Sequence, residues 1–248
     1  MTIAHPATIG IEAASLETWL RSQPGDEAQL AIRTEIITRQ CNDVLALLPD
    51  AKPGVCELGQ HLANRDGLSL PAQPFNILAA LGRTYAEDIC VLTPQTDQYI
   101  LSGAILCFPN RWRLCDKVGK PIIAVHDPVP GYAGQLSNQV DFFLTRLRPG
   151  RCFRRSNWGL VSTPTLNLPA AVPPINPTRD ADFYMRQEEQ AFVKLPNTGA
   201  VIFTIRTTVT AWAEVPTPTR EAILAQTGLL SPEWLAYKSI RPSAQQSR

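Results

Sequence analysis

The sequence predicts an α+β fold: a helical N-terminal region, then a PAS-like antiparallel sheet of about five strands, then a pair of C-terminal helices. Three observations support the α+β class and the order of its elements. Apolar residues recur at three- and four-residue spacing before position 89, runs rich in β-branched and aromatic residues follow it, and helical spacing returns after position 218. With 44% hydrophobic and 18% charged residues, the 248-residue chain has the composition of a globular protein that builds its own core.

The N-terminal region is predicted to be helical because its apolar residues line one side of each segment. Ser15 is a suitable helix cap, and Pro49 ends the longest amphipathic stretch. A stretch that contains glycine and proline, residues 67–74, separates the last two helices. Helices are therefore predicted over residues 15–19, 29–48, 55–62 and 75–89.

The sheet is predicted from five runs rich in β-branched and aromatic residues: 89–93, 99–108, 152–161, 183–194 and 200–212. A turn over residues 94–97 makes the first two runs a hairpin. Residues 162–178 hold five prolines and no charge, which predicts a long loop that covers the sheet. Further helices are predicted over residues 136–147, 219–226 and 231–237.

These elements predict one domain over residues 15–240, with residues 15–89 as a helical annex. Residues 1–14 are expected to be a flexible N-terminus and residues 241–248 a disordered tail. The longest apolar runs have four or five residues, far fewer than the roughly 20 that cross a bilayer, and the N-terminus lacks the pattern of a signal peptide. We therefore expect a cytoplasmic protein with no membrane partner.

Charge is unevenly distributed along the chain. The net charge of +1 gives no overall basic field, which argues against a nucleic-acid partner. Residues 1–110 carry six basic and twelve acidic side chains, whereas residues 111–155 carry nine basic and three acidic ones. The basic segment is where an anion would be held; alternatively, it is a solvated face that offsets the acidic first half.

Several kinds of site are excluded by missing motifs. The six cysteines form no Cys-x-x-Cys pair, which leaves them as free thiols, and no group of three close metal ligands occurs. Neither a Gly-x-Ser-x-Gly elbow nor a glycine-rich phosphate loop is present. A cofactor that needs one protein ligand, an apolar slot and a few cations remains possible, and haem is such a cofactor.

His126 is the strongest candidate ligand among the three histidines. His5 lies near the terminus and His61 on a predicted helix, whereas His126 ends an apolar run inside the proline-stiffened loop 120–131. A neutral imidazole held there could bind a metal axially while Asp127 or a backbone carbonyl fixes its other ring nitrogen. The alternative interpretation is a histidine with a purely structural place in the core.

Several sequence blocks also carry a resemblance to a known family. They are Tyr85-Ala-Glu-Asp-Ile-Cys-Val-Leu92, Leu106-Cys-Phe-Pro-Asn-Arg-Trp112, Asp116-Lys117-x-Gly119, Val125-His-Asp-Pro-Val-Pro130, Arg155-Ser-Asn-Trp158, Arg186-x-Glu188-x-Gln190, Leu195-Pro196 and Phe203-Thr-Ile-Arg206. In order and spacing, over roughly residues 15–235, the chain resembles the DUF3445 family, which contains the α subunit of haem-dependent oxidative N-demethylase.

The resemblance implies a PAS-like fold that binds haem b and activates O2. The implied reaction converts a small secondary amine such as dimethylamine to the primary amine and formaldehyde. Because the chain has neither a flavin signature nor ferredoxin-type cysteine spacing, a separate flavin/iron–sulfur reductase is expected to supply the electrons. The alternatives are a haem-binding sensor or carrier without turnover and a structural member of the family that has lost the cofactor.

Candidate cofactor-binding residues come from these blocks and from the basic segment 111–155. Both the resemblance and the settings of the three histidines favour His126 as the haem ligand. Arg155 and Arg113, with Lys117 as a second choice, are the expected partners of the haem propionates, unless each pairs with the acidic first half. Two tryptophans, Trp112 and Trp158, pack either the core or the cofactor.

Three carboxylates are candidates for binding the substrate amine or moving protons: Glu188, Asp88 and Glu87. The alternative for each is helix capping or an internal salt bridge to Arg83, Arg186 or Arg206. Glu189 and Thr208 stand where arginine and an aromatic residue are expected in the family pattern, so the identity of the amine does not carry over from the resemblance.

Overall fold

The structure is a computed structural model that describes residues 10–96 and 98–241. The flexible end predicted over residues 1–14 and the disordered tail predicted over residues 241–248 therefore lie largely outside the described residues. The helices are α1 (Glu27–Arg39), α2 (Cys41–Val44), α3 (Lys52–Asp66), α4 (Pro74–Thr84), α5 (Ile122–Val125), α6 (Ser137–Arg146), α7 (Thr217–Leu229) and α8 (Pro232–Tyr237). The strands are β1 (Glu12–Ala14), β2 (Leu45–Leu47), β3 (Asp88–Gln95), β4 (Gln98–Ile105), β5 (Cys152–Val161), β6 (Tyr184–Lys194) and β7 (Val201–Ala211).

All seven described strands form one antiparallel sheet in the order β1-β5-β6-β7-β3-β4-β2. The α+β class and the C-terminal helix pair are confirmed, whereas the PAS-like assignment stays a prediction. The sheet has two more strands than expected, because β1 and β2 are three-residue edge strands, too short to show a period of their own.

The single long helix predicted over residues 29–48 is wrong: α1 and the four-residue α2 stand in its place, and β2 begins at Leu45. Helix α1 ends at Arg39, because Gln40 leaves the helical region with φ −132° and ψ 33°, and β2 then pairs with β4. The helix predicted over residues 75–89 likewise ends at Thr84, and β3 begins at Asp88. In both places, backbone pairing with a distant strand overrides local helical spacing.

Side-chain alternation along the strands builds a different layer on each face of the sheet. On one face Ile89 and Val91 pack with the apolar residues of α1, α3 and α4, and we call these helices with their core the N-terminal layer. On the other face Cys90 and Leu92 pack with α5, α6 and three phenylalanines. A third cluster joins Trp158 on β5 to α7 and α8.

The loop over residues 162–178, predicted to cover the sheet, forms backbone bridges at two points. Leu168 forms a parallel bridge with Asn110, and Ile175 forms another with Ile240. Both apolar side chains of this loop are buried. The two bridges therefore tie the loop to the segment that follows β4 and to the segment that follows α8. No helix in the described part of the chain has the length and apolar character needed to cross a membrane.

Candidate functional site

A cavity of about 470 Å³ lies on the sheet face opposite the N-terminal layer. Apolar side chains from β3, β4, β6, β7, α5 and α6 line most of it, and Phe192 lies at the centre of an aromatic group. Its ring stacks on Phe203 with centroids 4.7 Å apart and meets Phe143 edge-on at 5.4 Å. The polar part of the lining includes twelve side chains: Asn110, Arg111, Lys117, His126, Tyr132, Arg155, Asn157, Glu188, Gln190, Tyr237, Lys238 and Ser239.

His126 lies at the C-terminal end of α5, where prolines on both sides restrict the loop. Its Nδ1 is 2.9 Å from the carbonyl oxygen of Ile122. Because a carbonyl can only accept, Nδ1 carries the proton, and the lone pair of Nε2 is left to bind a ligand. Burial lowers the pKa of His126, with Arg155 and Lys117 acting in the same direction, so the ring is neutral at physiological pH.

Tyr132 holds the His126 ring from one side. The two rings are parallel within 12°, with centroids 4.5 Å apart. Gly131, with φ 68°, supplies the left-handed turn that brings Tyr132 back to the histidine. The Tyr132 hydroxyl is buried and has no hydrogen-bond partner among the described residues, and burial raises the pKa of this phenol. It is therefore a donor available to a ligand in the cavity.

Two cations flank His126. Arg155 projects from β5, and its buried Nε has no partner among the described residues. Burial lowers the pKa of Arg155 while Glu188 raises it. Lys117 donates from Nζ to the carbonyl oxygen of Val125 at 2.6 Å, which leaves further N–H bonds of the ammonium uncommitted. Both cations can accept an anionic group at this end of the cavity.

Among the described residues that line the cavity, Glu188 is the one carboxylate. Each of its oxygens accepts two hydrogen bonds. Oε1 accepts from Asn110 at 3.1 Å and from Arg186 at 3.4 Å, and Oε2 accepts from Asn157 at 3.3 Å and Gln190 at 3.2 Å. Arg186 is itself fixed by backbone carbonyls, including that of Phe108 at 2.6 Å. The carboxylate is thus rigidly oriented by three neutral amides and one guanidinium.

Lys238 lies just after α8 and is only 3% exposed. Its Nζ donates to the carbonyl oxygen of Trp158 at 2.6 Å and lies 4.3 Å from the centre of that tryptophan ring. Burial lowers the pKa of this amine to about 7; Glu188 raises it, and Arg111 and Arg155 lower it further. The cavity lining therefore includes an amine that is partly uncharged near neutral pH.

Two of the predicted carboxylates are not brought to the cavity. Glu87 bonds Arg206 at 3.0 Å, and burial raises the pKa of Glu87. Asp88 is fully buried, pairs with Arg33 at 2.6 Å and accepts from the backbone N–H groups of Cys107 and Phe108. The partner of Glu87 lies on β7 and that of Asp88 lies on α1, and both are distant in sequence. Each carboxylate is therefore part of an internal salt bridge, which was the alternative to a role in binding the substrate amine.

Two of the predicted cofactor contacts also lie outside the cavity lining. Arg113 has a side chain 64% exposed and pairs with Asp116 at 2.9 Å. Trp158 is buried in the third cluster, and its indole N–H donates to Gln226 at 3.1 Å. The remaining tryptophan, Trp112, does line the cavity. The structure thus brings His126, Arg155, Lys117, Trp112 and Glu188 together.

Sequence reasoning missed several lining residues. Asn157 and Gln190 lie two positions from Arg155 and Glu188 within blocks already noted, so strand alternation could have placed them on the same face. Arg111 and Ser239, which bond at 2.6 Å, both have left-handed backbone, with φ 64° and 54°. Nothing local in the sequence indicates that pairing.

Comparison with known protein families gives one match. A family model described as "haem-dependent oxidative N-demethylase, alpha subunit-like" matches residues 60–246 of the chain. The matched region covers well over half of the 248 residues and contains every lining residue of the cavity except Ile11. The chain therefore belongs to the family of proteins that are similar to the alpha subunit of haem-dependent oxidative N-demethylase.

Proposed function

We propose that this chain binds haem b in the cavity and oxidatively demethylates a small secondary amine such as dimethylamine, with O2 as oxidant. A separate flavin/iron–sulfur reductase supplies the electrons, and the products are the primary amine and formaldehyde. Family membership supports the reaction class. The observation that carries the proposal is His126, a half-buried neutral imidazole with a fixed tautomer in an aromatic-walled cavity, beside Arg155, whose buried Nε has no partner among the described residues.

The residues present fit the chemical requirements of haem. The macrocycle needs apolar walls, which Phe143, Phe192 and Phe203 provide. Its propionates need cations, and the buried Nε of Arg155 is left without a partner among the described residues, with Lys117 as a second cation. Its iron needs one strong protein ligand, and Nε2 of His126 would hold it.

His126 can serve as a ligand at neutral pH without first losing a proton. The Ile122 carbonyl orients the ring through Nδ1, and the parallel Tyr132 ring limits its rotation. Bound haem would supply O2 activation and a site for electron delivery. The apolar walls meanwhile exclude water and so strengthen every electrostatic contact within the cavity.

Glu188 is the proposed partner of the substrate amine, since it is the predicted carboxylate that lies on the cavity. Its four acceptor positions are filled, so an incoming N–H must replace one of the present donors. Replacing a neutral amide such as Asn157 costs less than replacing the Arg186 guanidinium. One oxygen of Glu188 would thereby hold the amine nitrogen, while the other oxygen keeps its present hydrogen bonds.

Haem uptake tests the cofactor. Haemin added to the purified chain should give a haem absorption band that saturates at one equivalent, and His126→Ala should shift or abolish this band. His61→Ala is the matched control, because His61 lies on α3 near Trp19 and does not line the cavity. A chain that takes up no haemin overturns the proposal, and an unchanged spectrum in His126→Ala overturns the ligand assignment.

Product formation tests the reaction. The haem-loaded chain with dimethylamine, O2 and an added reductant should release formaldehyde. Glu188→Gln should reduce this release more strongly than it reduces haem uptake, because the substitution changes the amine contact. If the haem-loaded chain releases no formaldehyde from any of a panel of small secondary amines, it is instead a haem-binding sensor or carrier.

A further inference from the structure

Lys238 is a buried amine that the proposed reaction does not use. It lines the same cavity as His126 and Glu188, yet its Nζ makes one hydrogen bond to the described residues, with the carbonyl oxygen of Trp158. A protonated ammonium has three N–H donors to satisfy, whereas a neutral amine needs fewer partners. The Trp158 ring, 4.3 Å from Nζ, favours a cation there, but a single hydrogen bond among the described residues leaves two N–H donors of an ammonium without an acceptor.

The charges around Lys238 act in opposite directions, and two of the three oppose an ammonium at Nζ. Arg111, from the segment after β4, and Arg155 on β5 face the amine with their positive charges, and Glu188 on β6 faces it with a negative one. Glu188 already binds the Arg186 guanidinium and three amides, so its charge is shared among several donors. Two arginines and burial thus oppose a further positive charge at Nζ, in line with its pKa of about 7.

An uncharged primary amine is a nucleophile toward aldehydes, whereas an ammonium is not. We propose that the Lys238 amine reversibly captures the formaldehyde released in this cavity, a role that rests on the function proposed above. Capture would hold a reactive one-carbon product inside the protein until it is passed on or hydrolysed.

The step is a simple addition. The lone pair of Lys238 Nζ attacks the formaldehyde carbon, a C–N bond forms, the C=O π bond breaks, and a proton moves from nitrogen to oxygen to give a carbinolamine. Loss of water from the carbinolamine gives an imine, and addition of water releases formaldehyde again. No oxidant or reductant takes part.

Reductive trapping tests the proposal independently of turnover. The full-length chain is treated at pH 7 with isotopically labelled formaldehyde and cyanoborohydride, with and without haemin, and the labelled lysines are located by mass spectrometry. At pH 7 about half of an amine with a pKa of 7 is neutral, against about one in 2,500 for an ordinary lysine. Lys238 should therefore be labelled at least about tenfold faster than the exposed Lys52 and Lys120, even with restricted access.

The pH profile separates a reactive lysine from a merely accessible one. Labelling of Lys238 should level off above about pH 7, whereas labelling of a free lysine derivative in the same mixture should keep rising with pH up to about 10. Lys238→Arg should remove the fast site, and the matched Lys120→Arg should leave it in place. Labelling of Lys238 no faster than that of Lys52 overturns the capture site, whereas a chain that traps the added aldehyde but produces none overturns only the proposed function.

Discussion

The two faces of the sheet use similar charged residues in opposite ways. In the N-terminal layer, Asp88 is matched with Arg33, and Asp66 with Arg65, Arg21 and Tyr85. Around the cavity, Arg155 keeps a buried Nε without a described partner, Tyr132 keeps an unpartnered hydroxyl, and Lys238 is driven toward its neutral form. A buried charge that is matched supports the fold, whereas one left unmatched is available to a ligand.

Breaking a matched pair should have the largest effect. Asp88→Asn leaves the Arg33 charge buried without its counter-charge, so the free energy of unfolding should fall by about 3–5 kcal/mol, measured by urea denaturation. Glu35→Gln, which breaks an exposed pair with Arg39, should cost less than about 1 kcal/mol. Equal losses in the two variants would remove the distinction between matched and exposed pairs.

Replacing Arg155, whose buried Nε has no described partner, should instead leave the stability of the fold unchanged or higher and weaken haem binding. Arg155→Gln should lower haem affinity about 10- to 100-fold, because a charge-assisted hydrogen bond contributes about 1.5–3 kcal/mol, while the urea midpoint stays the same or rises. Haemin titration of the variant measures this. Arg113→Gln, which changes an exposed cation outside the cavity lining, should bind haemin like the parent chain.

Tight packing in the N-terminal layer predicts a smaller loss of stability. A Cβ added at Gly82 on α4 would lie 2.5 Å from Cγ1 of Ile105, so Gly82→Ala overpacks the core at a cost of about 1–3 kcal/mol. That cost exceeds the roughly 0.5–1 kcal/mol that alanine gains over glycine within a helix. Nothing lies within 4 Å of a Cβ added at Gly228 on α7, so Gly228→Ala should be stabilising. Thermal melts of both variants measure the two changes.

Acid should weaken the N-terminal layer through Asp66. The hydrogen bond from Arg65 lowers the pKa of Asp66 from 3.8 to about 2, against the effect of burial. Because the folded-state pKa lies below the unfolded one, the carboxylate stabilises the fold above pH 4, and this stabilisation is lost as the pH falls toward 2. Asp66→Asn should flatten the loss of stability between pH 5 and pH 2, whereas Asp182→Asn, at an exposed position, should leave the slope as it is.

Local patterns predicted most of the fold. The five long strands lie within a few residues of their predicted bounds, and Ser15 caps a short 3-10 helix over Leu16–Thr18, as predicted. The side-chain alternation of β3 places Val91 and Cys90 in different layers. The three-residue strands β1 and β2 were missed because their pairing depends on β5 and β4, not on their own sequence.

The sequence by itself determined the α+β class, the choice of His126 as the candidate haem ligand and the basic segment that contains Arg155 and Lys117. Only the tertiary structure decided that Glu188, and neither Asp88 nor Glu87, reaches the cavity, and that Lys238 lies within hydrogen-bonding distance of Trp158, 80 residues away. The physical reason is that periodicity acts over three or four residues, whereas the state of a buried charge depends on partners that folding brings together from distant parts of the chain.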